Sequence, residues 1–318
     1  MLLSRFVVGI LSAGMMVLGA GVVSSQDYPN KPIRIISPPV GGGGDFVARL
    51  IAQGISVPLG QPVIVENRMA LLAAEAVSKA PPDGYTLLVG GGGIWITALL
   101  RKMPYDMLND FSPITMITRE VNVLIVHPSV PAKSVKELIA LAKARPGELN
   151  YGSSGTGSSF HLAAELFRVM AGINILHVPY KGAALAITSL LGGETQLTIT
   201  GAGSVAGHIK AGRLRAVAVT SAQPSALFPG LPTVASDLPG FEAVGVAGIW
   251  ATAKTPGTII KRLNEEVVKF IRTAEAKETF FKRGSEVVGD SPEQLAAFVK
   301  SDIARMGKVI KDAGINAE

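Results

Sequence analysis

The segment YGSSGTGSSFH, Tyr151 to His161, sets three glycines, four serines and a threonine between an apolar run and an amphipathic helix pattern. Small residues let a ligand approach the backbone, so the N–H groups and hydroxyls of Ser153, Ser154, Gly155, Thr156, Gly157 and Ser158 can converge on one point. In the helix that follows, Leu162, Leu166 and Met170 share one face with Ala163 and Phe167 beside them, and the N-terminal dipole aims at the same point. His161 falls in the first turn, where it either faces a cleft or packs and caps. The segment reads as an anion cradle. Its sequence shows no nucleophile–base pair, so capture is expected rather than catalysis.

Two more Gly-rich turns follow apolar runs. PPVGGGGD (Pro38–Asp45) supplies Gly42, Gly43, Gly44 and Asp45, and GGGG (Gly90–Gly93) supplies Gly92. One such turn alone reads as a tight bend needing positive φ; three at strand ends point to a common ligand site. None fits GxGxxG with a downstream acid, and no GxxxxGK followed by Ser or Thr occurs, which removes the usual nucleotide phosphate sites. Asp45 has two readings. It is an N-cap for the helix containing Ala48–Ile55, or it touches a ligand, which must then carry a donor or an ammonium group.

The four histidines, His127, His161, His177 and His208, form no HExxH and no close cluster with carboxylates, so no metal or cofactor is expected. His177 and His208 read as structural hydrogen-bonding groups. A serine hydrolase of the α/β type needs GxSxG, which is absent, leaving Ser153 and Ser154 as donors to a ligand oxygen.

The elements that position these turns are legible as alternating patterns. Compact apolar runs at Pro32–Ser37, Pro62–Asn67, Tyr85–Gly90, Asn122–His127, Ile175–Tyr180, Gln196–Thr200 and Leu214–Thr220 predict strands separated by helix-length stretches. That alternation predicts α/β layers with largely parallel sheets. Ser134 with Glu137 and Ser291 with Gln294 make capping-box patterns, with Pro292 at a first helical position, and Thr255-Pro256 is expected to open a helix in the same way. NVLIVHP (122–128) and FEAVGVAGIWATA (241–253) bracket the middle of the chain as two crossings. They predict a discontinuous first domain, 26–124 plus 245–318, and an inserted domain, 125–244, with a ligand cleft between them.

At 318 residues the chain is long enough for two domains. Arg5, the apolar run Phe6–Val23 and the small residues Ser24 and Ser25 predict an export signal over 1–25, cleaved after Ser25; the rival is an uncleaved anchor. The chain has no cysteine, which excludes lipid attachment, disulfides and thiol chemistry and suits a bacterial periplasm. The net charge of +6 is dispersed, and aromatics make up only 6 % of residues, so no nucleic-acid face is indicated.

Read in order, YPNKPIRII, ENR (Glu66–Arg68), APPDGYTLL, MPYD (Met103–Asp106), YGSSGTGSSFHLAAELF, HVPYKG, IKAGRLRAVAVTS and LPTVASDLPGFE resemble the solute-binding receptors of tripartite tricarboxylate transporters, the Bug-type family. The series spans essentially the whole mature chain. The resemblance implies a two-domain α/β fold of the periplasmic-binding-protein (type II-like) kind, with two crossover strands and an interdomain cleft. It implies a receptor that closes on a small carboxylate, does no chemistry on it and delivers it to membrane permease subunits; the chain itself is expected to be a monomer. It implicates Gly42–Asp45 on one wall, and Ser153, Ser154, Gly155, Thr156 and Gly157 on the other.

The chain departs from the family pattern in places. After ENR the usual Pro-Gly-rich loop is replaced by MALLAAEAV (Met69–Val77), the first glycine turn is short, and Val246 stands where a tryptophan is common. These departures point to an altered ligand or weakened binding. The alternatives from another class are an exported hydrolase-like enzyme using the serine–glycine loop, and a ligand-poor sensor or scaffold domain.

Overall fold

The computed structural model describes residues 28–315, so the expected export signal at 1–25 lies outside the described residues. From the N-terminal side the chain forms β1 (Ile33–Ser37), α1 (Gly43–Leu59), β2 (Val63–Asn67), α2 (Ala70–Ser78), β3 (Thr86–Gly91), α3 (Gly93–Leu100) and β4 (Phe111–Glu120). The middle holds β5 (Asn122–Val126), α4 (Val135–Ala144), β6 (Asn150–Ser153), α5 (Ser159–Ala171), β7 (Leu176–Pro179), α6 (Ala183–Leu191), β8 (Leu197–Gly201), α7 (Ala202–Lys210) and β9 (Arg215–Val219). The chain ends with β10 (Gly245–Thr252), α8 (Gly257–Ile271), α9 (Ala274–Phe281), β11 (Ser285–Val287) and α10 (Pro292–Asp312).

Two sheets result, a six-stranded one in the order β11-β4-β10-β3-β1-β2 and a five-stranded one in the order β7-β6-β8-β5-β9. The apolar runs read from sequence all become strands. The expectation of largely parallel sheets needs correction, because both are mixed. β1 pairs parallel with β2 and β3, and β6 pairs parallel with β7 and β8. β10 runs antiparallel to β3 and β4, and β5 antiparallel to β8 and β9. The reason is topological: a chain that leaves one sheet and later returns must carry its crossing strands in opposite directions.

Strand alternation sorts the core. Ile33 and Ile35 of β1, with Leu87 and Val89 of β3, face one way and pack with Val47, Ile51 and Ile55 of α1 and Leu263 and Val267 of α8. Ile36 and Leu88 face the other way, into a second cluster with Trp95, Trp250 and the apolar side of α10. That cluster continues into the five-stranded sheet through Leu162, Leu166 and Phe167 of α5 and Leu124 and Val126 of β5. Val123 and Ile125, on the opposite face of β5, join Leu190 and Val205 beneath α6 and α7. β5 is therefore buried on both faces, and α10, which packs on β4, α3 and α5, ties the two sheets together.

The chain leaves the first sheet at Glu120, enters the second at Asn122 and re-enters the first at Gly245. The change of domain expected after Leu124 falls inside β5. The two crossings are stitched side by side. Asn122 Nδ2 donates to the Ala243 carbonyl (3.0 Å), the Ala243 N–H to the Thr220 carbonyl (2.9 Å), and Thr220 Oγ1 lies 2.6 Å from the Ala243 carbonyl oxygen. Arg119 and Arg305 flank Glu242 at 3.8 and 3.9 Å, adding charge pairs between β4, the return crossing and α10.

Caps show where local sequence was sufficient. Ser291 and Gln294 make the full reciprocal box with Pro292 in the first turn. Ser134 accepts from the Glu137 N–H, while the Glu137 carboxylate reaches Lys133 N–H instead of closing the box. Thr255 does not cap: Pro256 is the N-cap of α8, and the Thr255 hydroxyl donates to the Thr252 carbonyl.

Candidate functional site

The serine–glycine turn lies between β6 and α5, as its sequence predicts. Gly155 (φ 126°) and Gly157 (φ 75°) take backbone conformations that side chains disfavour. Ser158 is the N-cap of α5, accepting from the His161 N–H, and the Gly157 N–H donates to His161 Nδ1 at 3.0 Å. His161 is thus committed to the turn. It is buried, and burial together with the neighbouring His177 lowers its pKa to about 4, so it is neutral at pH 7.

Ser153 is likewise committed, with 1 % of its surface exposed. Its hydroxyl accepts from the Gly155 N–H (3.2 Å) and lies 2.7 Å from His177 Nε2. A serine–histidine pair not evident in the sequence is therefore present. Among the described residues no carboxylate orients the His177 ring, however, and the hydroxyl is sealed behind the turn. The arrangement lacks both the oriented base and the open approach that a nucleophile needs. His177 is instead sandwiched between Tyr151 (centroids 4.9 Å apart) and His161 (3.9 Å), and the Tyr151 hydroxyl donates to buried Glu165 at 2.5 Å. Glu165 is balanced by Arg168 at 2.6 Å. This stack is the rigid backing of the turn.

The outward side of the turn is formed by Ser154 and exposed Thr156. Among the described residues the N–H groups of Ser154, Thr156, Ser159 and Phe160 have no hydrogen-bond partner, whereas those of Gly155, Gly157 and Ser158 are engaged internally. These free donors sit at the positive end of a 13-residue helix, an arrangement suited to an anion.

The first glycine turn is built differently from its reading. Helix α1 begins at Gly43, with Gly42 as an N-cap lacking any side-chain bond. Asp45 is not the N-cap; it lies in the first turn, buried, and its carboxylate accepts from the Gly41 N–H (3.0 Å), Asn67 Nδ2 (2.7 Å) and Arg49 Nε (2.9 Å). Burial alone would push this carboxyl up, but the Gly41, Asn67 and Arg49 donors outweigh it and hold the pKa below its ordinary value. Held by three donors from the turn, β2 and its own helix, Asp45 is a brace for the turn. The N–H groups of Gly43 and Gly44 have no partner among the described residues. Gly92 is the N-cap of α3, half-exposed, at the end of β3.

Several of these turns meet where the chain changes sheets. A Cβ on Gly43 would lie 3.4 Å from Glu120 Oε1, and one on Gly245 would lie 2.9 Å from Glu120 Oε2. The next residue, Val121, accepts from the Ala202 N–H at the start of α7. The serine–glycine turn touches the first-sheet side through Gly157, whose Cβ position is 2.9 Å from Leu100 Cδ1 at the end of α3. Glu120, Asn67 and His177 were not singled out as site residues from sequence. Asn67 carries a signal as part of ENR, and His177 as part of HVPYKG, where its reading as a structural hydrogen-bonding group fits the 2.7 Å contact with Ser153 Oγ. A separate groove at the far end of β4, lined by Ser112, Pro113, Ile260, Asn264, Pro292 and Glu293, includes none of the glycine turns.

Among the described residues no group of three His, Cys, Asp or Glu side chains could hold a metal ion, and no helix is long and apolar enough to cross a membrane.

Residues 47–315 match the family model described as tripartite tricarboxylate transporter family receptor. The protein BugT of Bordetella pertussis is 35 % identical, the alignment covering 95 % of this chain and 96 % of BugT. A Rhodopseudomonas palustris protein solved with adipate is 38 % identical and superimposes with a TM-score of 0.74, over 92 % of this chain and all of the other. MatC from the same organism, solved with bound malate, is 27 % identical with a TM-score of 0.70, over 89 % of this chain and all of MatC.

Proposed function

This chain belongs to the tripartite tricarboxylate transporter receptor family, and on that premise we propose that it captures a small organic carboxylate between its two sheets and hands it to the permease of such a transporter. Receptors of this family are periplasmic, which supports reading the N-terminal 1–25 as an export signal. The observation that carries the proposal is the set of unpartnered N–H donors at the starts of α1 and α5, Gly43 and Gly44 on one side and Ser154, Thr156, Ser159 and Phe160 on the other. Fixed dipoles of this kind stabilise a carboxylate without reorganising, and the hydroxyls of Ser154 and Thr156 add adaptable donors.

The stitched crossings, Glu120–Asn122 and Phe241–Gly245, serve as the hinge between a body 28–121 plus 245–315 and an inserted body 122–244. A ligand that touches both bodies favours the closed arrangement by the extra contacts it makes there. Related proteins solved with adipate and with malate support a small dicarboxylate as the ligand. The sealed Ser153–His177 pair supports binding without turnover.

Calorimetry with adipate, malate and a panel of other small acids tests the reading. Replacing Ser153 and Ser154 together by Ala weakens the bound acid by about 1–3 kcal/mol, through the lost Ser154 donor and the loosened Ser153–His177 brace. Unchanged affinity in that double variant defeats the assignment of this turn, and hydrolysis of any ester offered to the protein defeats the receptor reading.

A further inference from the structure

Asp45 is the acid that the sequence placed among the ligand-binding glycines, yet three donors of the protein itself already hold its carboxylate. The carboxylate left at the site is Glu120. It ends β4 at the crossing between the sheets, half-buried, with Oε1 toward Gly43 and Oε2 toward Gly245. No ion pair or hydrogen bond reaches it among the described residues; its neighbour Arg119 turns to Glu242. Burial pushes the Glu120 carboxyl above the ordinary carboxylate range.

An acceptor so placed works against a simple binding mode. The free Gly43 and Gly44 N–H groups attract a ligand carboxylate, but a second carboxylate beside them repels it and offers a lone pair that only a donor can satisfy. Leaving Glu120 unpaired in a closed cleft is costly; pairing it with a ligand hydroxyl or ammonium group removes that cost.

Resting on the carboxylate-receptor reading above, we infer that Glu120 is the specificity-determining residue of this site, selecting acids that carry a hydroxyl or ammonium donor next to the carboxylate over the same acids without one.

The experiment is calorimetry on the purified chain with matched sets: succinate, malate and aspartate, and adipate with its hydroxy and amino counterparts. The wild-type protein binds the donor-bearing member of at least one set roughly ten-fold or more tighter than the bare parent, about 1.4 kcal/mol. Glu120→Ala brings that preference to within about three-fold, while Glu120→Gln, of the same shape and still an acceptor, keeps the hydroxy acid and loses the amino acid. Circular dichroism and the denaturation midpoint confirm that both variants fold. A wild-type protein that binds the bare parent as tightly as its substituted partners overturns the inference, as does a preference that survives in Glu120→Ala. Both results leave the carboxylate-receptor reading standing. If no acid of either set binds the wild-type protein, the receptor reading falls and takes the inference with it.

Discussion

Replacing Asp45 by Ala removes the centre of the first ligand turn without touching any proposed donor. Three bonds are lost: to the Gly41 N–H, to Asn67 Nδ2 and to Arg49 Nε. Arg49 is half-exposed, so water replaces its bond and that pair contributes less than about 1 kcal/mol. The other two are bonds to a buried charged acceptor, worth about 1.5 kcal/mol each at the low end. The favourable placement of an acid in the first turn of α1 adds a few tenths of a kcal/mol. Asn67 keeps Ser37 Oγ and the Pro38 carbonyl as acceptors, which limits the damage. The expected loss is about 3 kcal/mol for Asp45→Ala and about half that for Asp45→Asn, whose carbonyl still accepts one bond.

Urea denaturation at pH 7 reads the loss directly, and repeating it down to pH 3 reads its origin. The folded pKa of Asp45 lies below the unfolded value, so its contribution is complete above about pH 3.9 and is lost as pH falls through the folded value. The gap between wild type and Asp45→Asn must therefore close at low pH. A loss under about 1 kcal/mol at pH 7, or a gap that stays constant to pH 3, refutes the claim that this carboxylate braces the turn.

His161 has its own pH window. Its folded pKa of about 4 lies below the unfolded value, so stability is intact above about pH 6.5 and is lost as pH falls toward 4, by at most about 3 kcal/mol. His161→Phe flattens that window in thermal melts taken from pH 7 to 4; an unchanged slope rules out His161 as its source. Gly91 closes against the neighbouring strand, where a Cβ would lie 2.4 Å from the Val246 carbonyl oxygen. Gly91→Ala therefore pries β3 from β10 and destabilises the protein by about 2 kcal/mol in denaturant titration, while a shift within error removes the close approach as a constraint.

The layers were legible because each depends on local pattern. Runs such as IRIIS and NVLIV announce strands, and Ser134 and Ser291 announce helix starts. β4 was not legible: FSPITMITRE begins with a proline near its start and mixes polar residues into the run, because one side of it meets the crossings. β6 is only four residues long and carries its identity in its partners, β7 and β8. The glycine turns were found by composition, but the roles within them were not. Asp45 looks like a cap or a ligand contact until Gly41 and Asn67 are seen to hold it. Ser153 looks like a free donor until His177, 24 residues away, is placed against it. Glu120 is one acid at the end of a strand; only the fold sets it against Gly43 and Gly245.

The chain carries two tryptophans, and both report from one place. Trp95, in the first turn of the helix that starts from the Gly92 cap, donates its indole N–H to Asp302 of α10 at 2.8 Å and meets Trp250 edge-on with centroids 6.0 Å apart. The protein's tryptophan emission therefore originates from a single buried pair, with one indole bonded to a carboxylate. Any solute that shifts α3 against α10 changes the colour and yield of that emission. The molecule carries its own optical gauge for what happens at its second glycine turn, and no dye need be attached to read it.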